Sequence, residues 1–102
     1  MKYLIKRITA DGVAQDFYYK KKPTLKEMQD LIGGYLEGVP YLHKYIDTQA
    51  EVYVDEEGLM KGLPTNEEAT RLWRQALGSL RYDPARAKLV GPIIFVMKVD
   101  QR

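Results

Sequence analysis

His43 is the only histidine in the chain, and there is no cysteine at all. Those two facts decide most of the chemistry open to this sequence. A serine or cysteine nucleophile needs an imidazole beside it as general base. That task would fall on His43 alone, and its neighbours "YLHKY" form no catalytic motif. His43 therefore reads as a loop or surface residue. Lack of cysteine removes disulfides, thiolate zinc sites and thiol nucleophiles together, and it fits a reducing cytoplasm. Paired carboxylates are the remaining catalytic option, with Glu37 set against Glu56 or Glu57 as acid and base. No motif fixes their separation, so no catalytic residue is assigned and the chain reads as non-enzymatic.

Metal and phosphate chemistry find equally little. "DTQAEVYVDEEG" gathers Asp47, Glu51, Asp55, Glu56 and Glu57. A calcium loop alternates its oxygen ligands around a sharply turning glycine, and this spacing does not. It reads as a solvated turn with no metal site. "LIGGYLEG" holds three glycines, but they follow a helical pattern. Phosphate loops place glycines after a strand and ahead of a helix N-terminus. No cofactor is expected.

Binding is the class left open. "FYYKKK" places Tyr18 and Tyr19 beside Lys20, Lys21 and Lys22. Aromatic and basic neighbours can stack on bases and attract phosphates, which makes nucleic acid an alternative partner. The balance of 16 basic against 14 acidic residues, a net charge of +2, supplies no general basic excess for it. Eight tyrosines also suit a protein-recognition surface, where the ring gives contact area at low entropic cost.

These residues must be held by a small number of elements. The chain has 102 residues, 45% apolar and 29% charged, which suits one globular domain over residues 1–102. "KYLIKRIT", the Asp-Gly turn and "VAQDFYYK" read as a hairpin, with Phe17 and Tyr19 on one face and Tyr18 on the other. Thr24 and Glu27 form a capping box that opens helix one. Leu25, Met28, Ile32, Tyr35 and Leu36 would line its apolar face, with Gly38 and Pro40 at its end. "YLHKYID" is ambiguous. "AEVYVDEEG" and "LMKGL" read as a second hairpin over residues 50–63. Thr65 with Glu68 reads as the capping box of helix two, whose face carries Ala69, Leu72, Trp73, Ala76 and Leu77. Trp73 is expected to be largely buried. "SLRYDPARAK" is polar and turn-like. "LVGPIIFVMKV" is apolar on both faces and reads as a central strand. The pattern predicts an α+β domain in the order ββα, ββα, β, with one mixed or antiparallel sheet and both helices on one face. The longest uncharged apolar run, "LVGPIIFVM", is far short of a membrane span. The first hairpin should form a sheet edge, giving a monomer or a symmetric homodimer.

"MQDLIGGYLEGV", "VYVDEEGLMKGLPTNEEAT" and "LVGPIIFV" together resemble a small domain family of unknown function found mainly in phages, plasmids and other mobile elements. The resemblance covers roughly residues 23–98. It rests on the double glycine before Glu37, on Glu57-Gly58, on Leu63-Pro64 with Asn66 and Ala69, and on Gly91. Two features depart from the family's pattern. "PYLHKYIDTQA" is longer than expected, and Asp55-Glu56-Glu57 stands where the family often has asparagine-glutamate. The resemblance implies a cytoplasmic accessory protein of a mobile element and carries no activity with it; the absence of catalytic motifs and the surplus of tyrosine point to a binding module acting on an unidentified host protein or small ligand. The binding residues the resemblance points to are Gly33, Gly34, Tyr35, Glu37, Glu57 and Asn66.

Two points stay open in the sequence. Each glycine inside helix one should weaken it by ~1 kcal/mol, so the pair must serve either close packing or a shallow site walled by Tyr35 and Glu37. Glu37 either accepts hydrogen bonds from Asn66 and the start of helix two, or faces solvent in a recognition surface.

Overall fold

The structure is a computed structural model, and it describes residues 2–78, 83 and 87–99. Strand β1 (Lys2–Ile8) turns through Asp11-Gly12 into β2 (Ala14–Tyr19), as the Asp-Gly signal requires. Helix α1 (Leu25–Ile32) carries the expected capping box: Thr24 accepts from the Glu27 N–H, and Glu27 accepts from the Thr24 N–H. Strands β3 (Leu36–Gly38), β4 (Lys44–Tyr45) and β5 (Thr48–Asp55) follow, then helix α2 (Glu67–Leu77) and β6 (Ile93–Val99). The fold is α+β, with two helices and one antiparallel sheet among the described residues. Its main path runs β2-β1-β6-β5-β3, with β4 also paired to β5.

Strand β6 is central, and its alternating side chains explain how the core is divided. Ile93, Phe95 and Met97 point to one face, and Ile94 and Val96 to the other. All five are buried. An uninterrupted apolar strand needs cover on both sides. The helices therefore lie on opposite faces, not on one as the sequence suggested. Met28 and Ile32 of α1 pack with Ile5, Ile94 and Val96. Ala69, Leu72 and Trp73 of α2 pack with Val52, Val54, Ile93 and Phe95 on the other side.

Three further expectations are corrected. Helix α1 stops at Ile32, so Tyr35 and Leu36 do not extend its face, and Leu36 pairs with Asp55 as a strand residue. The expected return strand "LMKGL" is a series of turns closed by its own backbone: Lys61 N–H donates to Glu57 O at 2.9 Å and Leu63 N–H to Gly58 O at 3.1 Å. Residues 44–45 take the hairpin role instead, pairing with the start of β5. The N-cap of α2 is Asn66, whose side chain accepts from the Ala69 N–H, while Thr65 bridges to Val90. The polar stretch at 79–88 falls mostly outside the described residues.

Trp73 is half-buried at the rim of its cluster, and its indole N–H donates to Pro40 O at 2.8 Å. Because part of the ring stays in water, Trp73→Ala should destabilise by only about 2 kcal/mol, below the usual range for a fully buried ring. Chemical denaturation of both proteins checks this.

Candidate functional site

The end of α1, the end of β5 and the 56–62 turns meet at one place, and Gly33 and Gly34 are why they can. Gly33 takes the left-handed conformation, φ 84°, and its N–H closes the helix onto Gln29 O at 2.7 Å. The next residue has a different task. A Cβ on Gly34 would lie 2.7 Å from Lys61 Nζ and 2.8 Å from each carboxylate oxygen of Asp55. The bare backbone of Gly34 is thus the floor on which an ion pair is seated.

That ion pair is the most constrained polar group in this region. Asp55 is only 5% exposed. Its Oδ2 accepts from Lys61 Nζ at 2.7 Å, and its Oδ1 from the Glu57 N–H at 2.8 Å. Lys61 Nζ also donates to Gly33 O at 3.1 Å. Burial alone would push the Asp55 carboxyl up, but the Lys61 ammonium and the Glu57 N–H outweigh it and hold it below its usual range. Asp55 in turn raises Lys61 through the same hydrogen bond. The 56–62 segment is also fastened to β3, because the Glu56 N–H donates to Tyr35 O at 2.9 Å.

Above this lock lies a shallow, open notch lined by Gln29, Asp30, Gly33, Gly34, Tyr35, Glu57 and Lys61. It brings together four of the residues singled out in the sequence: Gly33, Gly34, Tyr35 and Glu57. Tyr35 lines the notch, but Glu37, the other wall expected of a shallow site, does not. Gly34 serves close packing, and the packed group forms one wall of a surface depression.

Glu37 and Asn66 do not join it. Glu37 sits exposed in β3, paired through its backbone with Val54. Asn66 is fully buried, and its amide donates to Ile8 O at 3.0 Å and Gly91 O at 2.8 Å. Its oxygen accepts from Ala69 N–H at 3.0 Å. The proposed fastening of Glu37 to Asn66 is therefore absent. Asn66 satisfies itself with backbone, and the end of helix one is tied to its neighbours by Lys61, which donates to Gly33 O, and by Arg7, which donates to Leu31 O at 3.1 Å. Glu37 is also outside the notch that Glu57 lines.

Asp55 and Lys61 were missed in the sequence. Asp55 belonged to an acidic run that looked solvated. The available signal was strand parity: Asp55 shares its side of β5 with Tyr53, which packs in the α1 cluster. Lys61 sits in turns and offers no periodic signal.

The first hairpin divides its aromatic and basic residues. Tyr19 is half-buried against the α1 side, whereas Tyr18 is 67% exposed on the opposite face. Lys20, Lys21 and Lys22 are exposed, and Lys22 pairs with Glu51 at 3.0 Å. Among the described residues no group of three or more potential ligands could hold a metal ion, and no helix is long and apolar enough to cross a membrane.

No curated protein and no solved structure matches the chain. A family described as a domain of unknown function (DUF3846) matches residues 5–102. That span takes in both helices, every strand of the sheet but the first three residues of β1, and every residue of the notch, and the chain belongs to this family, DUF3846.

Proposed function

We propose that this protein is a small non-enzymatic accessory factor of a phage or other mobile element, acting in the host cytoplasm by binding a host protein. The observation that carries this reading is the tip of the 56–62 segment. Leu59 and Met60 stand 77% and 84% exposed there. Their segment is fixed at its base by the pair of buried Asp55 with Lys61, and Tyr35, 63% exposed, lies on the β3 side of the same base. Large apolar side chains held in water on a fastened support gain nothing for folding. A partner that buries them meets a surface whose ordering is already complete, which lowers the entropic cost of binding. The notch itself is shallow and open, so a protein surface suits it better than an enclosed small ligand. The mobile-element origin rests on the sequence resemblance.

The test uses the tagged protein as bait in extract of its natural host, treated with nuclease, beside the L59S/M60S and K20Q/K21Q/K22Q variants. A nuclease-resistant host protein should be retained by the wild type and the lysine variant. It should bind L59S/M60S at least about tenfold more weakly, since each buried anchor contributes on the order of 1–2 kcal/mol. Co-purifying nucleic acid that disappears with the lysine variant instead supports the alternative carried by Tyr18 and Lys20–Lys22.

A further inference from the structure

The sheet has two edges, and they are finished differently. At one, β3 is only three residues long and Pro40 follows soon after. At the other, β2 runs six residues in unbroken register with β1, without proline or bulge. Natural edge strands are commonly protected by shortness, proline, bulges or unpaired charge. Strand β2 lacks all of these. Its one charge, Asp16, is paired across the ladder with Lys6 at 2.7 Å.

Ladder parity shows which backbone groups this edge offers. The Thr9 N–H donates to Val13 O at 2.9 Å, directly ahead of the Ile8–Ala14 pair. Hydrogen-bonded and non-hydrogen-bonded pairs alternate in an antiparallel ladder. Gln15, Phe17 and Tyr19 therefore spend their main-chain groups on β1. Ala14, Asp16 and Tyr18 aim theirs outward.

We propose that β2 is a self-recognition edge, pairing antiparallel with β2 of a second copy about a twofold axis at Phe17. Outward-facing residues must meet outward-facing residues, which restricts the symmetric registers to a few. A register centred on Asp16 sets the two Asp16 carboxylates directly opposite each other, which is unfavourable. The register centred on Phe17 sets Asp16 opposite Tyr18 of the second copy, whose phenol can donate to the carboxylate. It sets Phe17 opposite Phe17, and Gln15 opposite Tyr19. Lys20 then faces Ala14, so no like charges meet across the join. The exposed Tyr18 thereby gains a partner, and the lysines after the strand flank the junction. Since β3 and β5 lie at the far side of the sheet, the dimer would carry its two Leu59-Met60 tips on opposite ends, free for the binding proposed above.

The lack of cysteine makes the test direct. Phe17 on the axis is a non-hydrogen-bonded pair, with Cα atoms expected about 4.5 Å apart, within disulfide reach. Under mild oxidation F17C should form a disulfide dimer readily, while Q15C, which faces Tyr19, should lag by about tenfold or more. In sedimentation, the wild type should show a concentration-dependent monomer–dimer equilibrium. Y18P should shift it strongly toward monomer, because the ring removes an outward N–H and leaves the β1 ladder intact. Circular dichroism checks that Y18P is folded; should it not be, the wild-type equilibrium and the two cysteine variants still decide. A wild type that stays monomeric at every concentration overturns the proposal. So does equal cross-linking of Q15C and F17C, or a folded Y18P that dimerises as well as the wild type.

Discussion

Asn66→Asp is expected to destabilise the fold by about 4 kcal/mol or more near neutral pH, with a smaller penalty, relative to wild type, in acid. Asn66 is fully buried, and each polar atom of its amide is used: two donations to Ile8 O and Gly91 O, and one acceptance from the Ala69 N–H. Through these bonds one side chain caps α2 and ties it to the end of β1 and the entry to β6. Aspartate keeps the cap and loses both donors. It withdraws a donor from each of two carbonyls at a fully buried position and places a negative charge against them, which is the larger part of the cost. Such a carboxyl has a raised folded-state value, so the folded protein takes up a proton that the unfolded chain releases. The variant's deficit should therefore shrink as pH falls toward and below the ordinary carboxylate value of about 4, because a protonated acid can donate one bond again. Asn66→Ala also loses the cap, but it buries no charge. Its cost of about 3 kcal/mol should not vary with pH in this way. Thermal melts of the three proteins at acid and neutral pH check both statements, each 1 kcal/mol corresponding to roughly 4–8 °C at this chain length. Equal pH profiles for Asn66→Asp and wild type would rule out a buried, donor-type role.

The difficulty of seeing Asn66 beforehand has a physical cause. "PTNEEA" offers two good capping residues in sequence, Thr65 and Asn66, and local chemistry ranks both as acceptable. Tertiary structure decides between them. The Thr65 backbone pairs with Val90, which leaves Asn66 as the residue at the boundary, with its amide inside the core. At Thr24 no such contest existed, and the capping box reads directly from the sequence. The same contrast runs through the sheet. Strand β6 was legible as central because an apolar residue at nearly every position can only be buried on both faces. That reading also implied cover on both faces, a consequence the one-sided expectation for the helices overlooked. The strand β3 was hidden because Leu36 continues the apolar spacing of α1, and only the left-handed turn at Gly33 shows that the helix has already ended. The notch was half legible. Its glycines and Tyr35 were visible as an oddity, but the pair that occupies them joins Asp55 to a lysine in irregular turns, and no periodicity marks such a contact.

Gly34→Ala should be the most disruptive single methyl added to this surface, costing on the order of 2–4 kcal/mol, and the cost should depend on Asp55. The new Cβ would lie 2.7 Å from Lys61 Nζ and 2.8 Å from both Asp55 oxygens. Lys61 can swing its flexible end away. Asp55 cannot easily follow, since it is short, buried and bonded to the Glu57 N–H. Relieving the clash thus separates a buried carboxylate from its cation, which is the expensive way to break an ion pair. Gly33→Ala differs in mechanism. No atom lies within 4 Å of its Cβ position, and the penalty is the left-handed backbone, about 1 kcal/mol. A double-mutant cycle separates the two. Once Asp55 is alanine, Gly34→Ala should lose most of its cost, whereas Gly33→Ala should keep its own. The pH dependence supplies a second reading. Asp55 has a lowered folded-state value, so its contribution is present above its ordinary value near 4 and is lost as pH falls through the folded value. Lys61 is raised, so its contribution holds up to about its ordinary value near 10.5 and is lost as pH rises through the folded one. Gly34→Ala should flatten both limbs of the stability profile, as Asp55→Asn should. Additive costs for Gly34 and Asp55, with both limbs unchanged in Gly34→Ala, would mean that the glycine serves the backbone alone. Full coupling would instead identify Gly34 as the residue that lets one ion pair hold the 56–62 segment, and with it Leu59 and Met60, in the position from which they can be recognised.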